Sequence, residues 1–231
     1  MRQLFSNFQV GLPTGSIYER PNQGVRRRNA NFESVLRELK SRGISTIETH
    51  HDFPDPEVIL EMFPNASYHL TRRAKVAGAH NALKYGYTRI IAHPDYITDI
   101  NPWKDIGKHL LIENMDHLDP QWRSAGALST LLEKLPDAGV CLDLAHAIDK
   151  PSLLDGIISI YGSRIREIHL GEINRRNGHH LSTISKQSTA HCISFLHKVE
   201  QGTPIIFELA LGASWKESIS TVESFAEEYS C

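Results

Sequence analysis

Cysteine is scarce in this chain. Cys141, Cys192 and Cys231 are its only three, scattered through 231 residues. An odd and widely spaced set excludes a disulfide framework and a CxxC zinc site, and it points to a reduced compartment. No apolar stretch is long enough to cross a bilayer, so no membrane partner is expected. The opening Met1-Arg2-Gln3-Leu4-Phe5-Ser6-Asn7 lacks the apolar segment of a secretion signal, and a cytoplasmic location is expected. An excess of one charge is missing too, since a formal net charge of −2 gives no general attraction to a polyanion. The one basic cluster, Arg26-Arg27-Arg28 with Arg20 upstream, reads as a solvated run ahead of a helix, although on a catalytic loop it could meet a phosphate. Trp103, Trp122 and Trp215 show no interleaving with basic residues of the kind that stacks bases. Nucleic acid is therefore disfavoured as a partner but left open. With no low-complexity tract and no linker, residues 1–231 read as a single domain.

What the chain does have is a rhythm. Short apolar runs alternate with helix-like segments, the pattern of repeated βα units on a parallel sheet. Strands are expected at 4–11, 44–50, 66–71, 89–94, 109–114, 139–145, 165–171 and 204–210. Helices are expected at 31–42, 72–85, 151–161 and 186–201, stopped by Gly43, Gly86, Gly162 and Gly202. Pro151 suits a first helical turn, and Ser214-Trp215-Lys216-Glu217 has capping-box spacing. Eight strands each followed by a helix predict a compact (β/α)8 TIM barrel with short loops. The rival, an open doubly wound sheet, needs a glycine-rich phosphate loop, which Gly11-Leu12-Pro13-Thr14-Gly15 matches poorly.

Six of the apolar runs end on a potential metal ligand: His69, His93, Glu113, Asp143, His169 and Glu208. A bare charge at the edge of a core costs roughly several kcal/mol unless it is paired, protonated or bound to a cation. Residues two apart on a strand share a face, so Ile91, Leu111, Cys141 and Ile206 can fill the barrel while His93, Glu113, Asp143 and Glu208 cap it. Glu113, Asp143, His169 and Glu208 form a mixed oxygen and nitrogen set for Mn²⁺, Mg²⁺, Co²⁺ or Zn²⁺. Glu48 and His50 share a face after strand 2 and, like His51, line either the cavity or the solvent.

These endings resemble those of the xylose isomerase-like TIM barrels, a superfamily that includes the ketose 3-epimerases and the endonuclease IV group. Leu111-Ile112-Glu113-Asn114 is similar to its strand-5 glutamate motif and Leu142-Asp143-Leu144-Ala145-His146 to its Asp-x-x-His motif. His169 and Glu208 are similar to its strand-7 histidine and strand-8 glutamate. The stretch His169-Leu170-Gly171-Glu172-Ile173-Asn174-Arg175 resembles that of ketose 3-epimerases, which implies that Arg175 and His146 bind substrate. His69 and His93 instead resemble histidines that complete a second metal position in the endonuclease IV group. A third position in that group uses the strand-6 histidine, here His146, with an Asp-x-His pair. Asn177-Gly178-His179-His180 stands in that place with no aspartate at the right offset, leaving His179 or His180 as its candidate histidine.

The resemblance implies a site for one to three divalent ions, iron included. The first expectation is an isomerase or epimerase acting on a small polyhydroxy substrate, with Glu113 and Glu208 as paired acid and base. The alternative is a multi-metal phosphodiesterase or phosphate-ester hydrolase in which Glu113 bridges two ions. An iron-dependent oxidative enzyme or a non-catalytic barrel ranks third. The partner is a small molecule, which can be phosphorylated, and the oligomeric state leaves no signature in the sequence.

Overall fold

The computed structural model describes residues 2–16, 32–50, 56–210 and 213–230. Arg20, Arg26, Arg27, Arg28 and His51 lie outside these. Eight strands close into one parallel barrel in chain order: β1 (Gln9–Pro13), β2 (Thr46–His50), β3 (Ser67–His69), β4 (Arg89–Ala92), β5 (Leu110–Glu113), β6 (Gly139–Asp143), β7 (Ile165–Leu170) and β8 (Pro204–Phe207). The nine described α-helices are α1 (Arg2–Asn7), α2 (Phe32–Ser41), α3 (Pro56–Met62), α4 (Lys75–Tyr85), α5 (Asn101–Lys104), α6 (Ala125–Leu132), α7 (Pro151–Tyr161), α8 (Lys186–Leu196) and α9 (Trp215–Tyr229). None is long and apolar enough to cross a membrane. The (β/α)8 expectation holds.

Alternation divides the strand residues between two cores. Ile90, Ile112, Val140, Leu142, Ile168 and Phe207 belong to the large apolar layer shared with the helices. Ile91, Leu111 and Cys141 form a separate small cluster, consistent with the inside of the barrel. A Cβ on Gly11 would come within 2.6 Å of Thr46 Cγ2 and 2.7 Å of Ile206 Cδ1, so only glycine leaves room for both neighbours. A bulge between Val140 and Cys141 shifts the β6–β7 register, setting Asp143 opposite His169 and Cys141 opposite Glu167. That shift is what makes Asp143 and His169 neighbours.

Several expected boundaries need correction. The segment 4–11 is not a strand throughout, because Leu4 lies in α1 and Phe8 follows it. Leu4 and Phe8 bury at helical spacing, and the Phe8 ring meets Tyr229 of α9 edge-on at 6.1 Å. A short apolar run suits either period, and packing on α9 decides. Strands β4 and β8 stop at Ala92 and Phe207, so His93 and Glu208 sit one residue past their ends. Helix α8 ends at Leu196, not 201, and Gly202 (φ 87°) serves the turn into β8. Gly86 caps α4 with φ 101°, whereas Gly162 is right-handed and opens a 3-10 turn. The capping box of α9 is present, with Ser214 accepting from the Glu217 N–H.

Candidate metal centre

The strand ends bring Glu113, Asp143, His169 and Glu208 together, with one ligand atom from each within 4.8 Å of all the others. Three further sets share members with it: Glu48, His69 and His169; His69, His93 and Glu113; and Asp143, His146 and His180. Glu113 is the hub. Its Oε2 lies 3.0 Å from His69 Nε2 and 3.3 Å from His93 Nε2. Its Oε1 lies 3.6 Å from His169 Nδ1, which is itself 3.0 Å from Glu208 Oε2. His180 Nε2 stands 3.4 Å from Glu208 Oε2, and His146 Nε2 stands 3.2 Å from Asp143 Oδ2.

Backbone groups aim these side chains. His69 Nδ1 is 3.1 Å from the Leu70 carbonyl and His146 Nδ1 is 2.8 Å from the Asn114 carbonyl. These carbonyl contacts at Nδ1 turn each Nε2 toward a carboxylate, and that nitrogen would face an ion once its proton is displaced. Asn114, fully buried, clamps the Asp143 main chain from both sides. Its Nδ2 donates to the Asp143 carbonyl at 2.9 Å, and its Oδ1 accepts from the Asp143 N–H at 2.8 Å. Asp143 Oδ1 accepts from the His146 N–H at 3.1 Å, which turns Oδ2 toward the centre.

These donors fit a cation. Asp143 Oδ2, His169 Nδ1 and Glu208 Oε2 are buried without an aligned hydrogen bond, although His169 Nδ1 and Glu208 Oε2 are only 3.0 Å apart. Adjacent donors of a common ion, each at ~2.1 Å, stand about 3 Å apart. Electrostatics agrees. Burial alone would push the Glu113 and Glu208 carboxyls up, but the imidazoles of His93, His169 and His69 around Glu113, and of His180 and His169 around Glu208, hold both well below the usual range. Burial would keep His69 neutral, yet Glu48 and Glu113 push it up to about 10. For Asp143 burial prevails, and its carboxyl is raised. The cluster draws positive charge, as packed carboxylates must.

No protein-family model matches the chain, and no curated protein matches it in sequence. Solved structures do match in shape. A xylose isomerase-like TIM barrel protein from Mycobacterium smegmatis in complex with magnesium superposes with a TM-score of 0.60 at 13% identity, covering 97% of each chain. A D-psicose 3-epimerase with D-tagatose from Clostridium cellulolyticum H10 gives 0.64 at 9% identity, covering 96% of this chain and 100% of that one. A family 2 AP endonuclease from Brucella melitensis gives 0.60 at 13% identity, covering 96% of this chain and 98% of that one. The chain shares the (β/α)8 fold of these proteins.

On this barrel, the four expected ligands converge and His69, His93 and His146 join them. His180 enters the centre while His179 stays exposed, lining a cavity of about 410 Å³ with Pro13, His50, Gly178, His180 and Glu208. Arg175 is exposed and lines a different cavity of about 250 Å³ with His117, Asp149 and Glu172. Glu48 is fully buried, with Oε2 2.9 Å from His169 Nε2. Glu167, which sequence reasoning passed over, is equally buried beneath it. The available signal was alternation, since Glu167 shares a strand face with His169.

Proposed function

We propose that the chain is a divalent-metal-dependent hydrolase of a small phosphate ester. The observation that carries this reading is the double use of Glu113, whose Oε2 faces His69 and His93 while its Oε1 faces His169. A carboxylate with each oxygen in a different donor set is suited to bridging two ions, as in two-metal hydrolytic sites. His69, His93 and Glu113 would hold one ion, and Glu113, Asp143, His169 and Glu208 the other. Their imidazole content suits zinc, manganese or iron better than magnesium. Ions bound there would acidify a shared water and offset charge on phosphate oxygens. His180, beside Glu208 at the cavity edge, is placed to donate a proton to a substrate oxygen. The cavity of about 410 Å³ has the size of a small-molecule site.

A second reading, a sugar isomerase or epimerase, is favoured by Glu113 and Glu208 lying in one donor set and by the sugar epimerases among the structural neighbours. Metal content per chain, phosphate release from a panel of esters, and deuterium uptake from heavy water into ketoses and their phosphates separate the two. Two or more ions with phosphate release support the hydrolase. One ion with solvent deuterium entering a ketose replaces it with the epimerase.

A further inference from the structure

Glu48 is a buried carboxylate that the chemistry above leaves unused. It lies on β2, fully enclosed, and neither of its oxygens has an aligned hydrogen bond among the described residues. Its close neighbour is His169, whose Nδ1 faces Glu208 at 3.0 Å and Glu113 at 3.6 Å while its Nε2 faces Glu48 Oε2 at 2.9 Å. A neutral imidazole that gives its Nδ1 lone pair to a cation carries its proton on Nε2, and in a fully buried ring that N–H needs an acceptor. Two carboxylates are in range. Glu167 Oε1 is 3.6 Å away, but it already accepts from Ser67 at 2.7 Å, and Glu167 Oε2 is held by Arg89 at 2.5 Å. Glu48 Oε2 is nearer, its 2.9 Å contact with His169 Nε2 being short but unaligned, and its other oxygen has His50 Nε2 no closer than 3.9 Å.

We infer that Glu48 is a positioning residue: it accepts the Nε2–H of His169 and so fixes which nitrogen that ring presents to the donor set. The inference rests on the ion-binding part of the proposed function. Glu48, His69 and His169 are also close enough to hold an ion themselves. Against that, His69 has no nitrogen to spare, with Nδ1 at the Leu70 carbonyl and Nε2 at Glu113. An ion there would also need His169 to ligate through both nitrogens.

The test compares Zn²⁺ affinity, by competition with a chromogenic chelator, in the full chain and in Glu48→Leu and Glu48→Gln. Leucine removes the acceptor, whereas the glutamine amide oxygen still accepts. The expected result is a Zn²⁺ affinity about 10–100-fold weaker for the leucine variant, as for other partners of ligating histidines, with glutamine retaining most of the parent's affinity. Stoichiometry at saturating Zn²⁺ stays unchanged. Equal affinities in the parent and both variants overturn the inference and leave the ion site standing. Loss of a whole equivalent of Zn²⁺ overturns it by making Glu48 a ligand. A parent that binds no Zn²⁺ removes the proposed function itself. Should the leucine variant not fold, imidazole ¹⁵N shifts of the Zn²⁺-loaded parent decide, because a proton on Nδ1 of His169 overturns the inference.

Discussion

Two groups of buried charge occupy this barrel, and only one is complete. In the first, Glu167 is paired with Arg89 Nε at 2.5 Å and accepts from Ser67 at 2.7 Å, while Arg89 also donates to Thr46 Oγ1 at 3.1 Å and to the Asn65 carbonyl. Burial would raise the Glu167 carboxyl, but Arg89, His169 and Ser67 bring it below its usual range. In the second, one turn of alternation higher, Glu113, Asp143 and Glu208 meet histidines alone, and several of their donor atoms have no aligned partner. Among the described residues, the barrel supplies an arginine to the lower carboxylate and none to those at the mouth. A fully partnered cluster stabilises the fold. A cluster short of positive charge is where a ligand belongs.

Removing the arginine is the largest expected perturbation of that contrast. Arg89→Met strands Glu167 without its counter-ion, and loss of one member of a buried pair costs about 3–5 kcal/mol, a large part of a domain's stability. Denaturant unfolding checks it. Adding Glu167→Leu to the same chain should recover most of the loss, because a well-packed apolar pair replaces a buried ion pair at little cost. If Arg89→Met alone is neutral, the lower group is not the self-sufficient one.

The converse change, Glu113→Gln, should spare the fold and damage the function. Glutamine keeps the shape but cannot bridge two cations with charged oxygens. Ion content should fall by at least one per chain, and turnover of the phosphate ester by roughly 10²–10³-fold, the scale for losing one electrostatic group at a reacting centre. Elemental analysis and steady-state rates read the two effects separately.

Chelation comes next in size. With Zn²⁺ at 100 times its dissociation constant, an ion that binds only the folded chain adds about 2.7 kcal/mol, so stripping it should lower the melting temperature and adding it back should restore it. Arg89 itself touches none of the proposed ion ligands, and Glu167 reaches them only through its 3.6 Å approach to His169 Nε2, so the Arg89→Met variant should keep most of the increment. An increment that vanishes in that variant would mean that the two groups are coupled.

The contrast explains what could be read in advance. Glu113, Asp143 and His169 close apolar strands, so a period of two and an abrupt change in polarity expose them in the sequence. Glu208 and His93 lie just past their strands, yet the same signal reaches them. Glu48 shows only as a cavity candidate, because choosing between inside and outside needs the closed barrel. Arg89 and Glu167 are 78 residues apart and pair only across it. His180 rather than His179 enters the centre because the turn at Gly178 (φ 69°) sets which side chain faces inward, a one-residue choice that loop sequence does not encode by period. Leu4 and Phe8 mislead for the opposite reason, since four-residue spacing within a short apolar run serves helix and strand readings alike.

The smallest expected effect calibrates the rest. Ser214 opens α9, far along the chain from both charged groups, and its hydroxyl accepts from the Glu217 N–H at 3.3 Å. Ser214→Ala leaves that N–H without its cap, and such losses run to about 1 kcal/mol. The cap touches neither Arg89 nor Glu113, so its cost should be the same in ion-loaded, chelated and Arg89→Met chains, to within the roughly 0.3–0.5 kcal/mol that independent sites show. Denaturant titrations with and without Ser214→Ala in each of these three backgrounds measure this. A Ser214→Ala cost that changes on chelation would mean that helix α9 responds to the ion, and the division into a self-sufficient floor and a ligand-dependent mouth would have to extend to the helices outside the barrel.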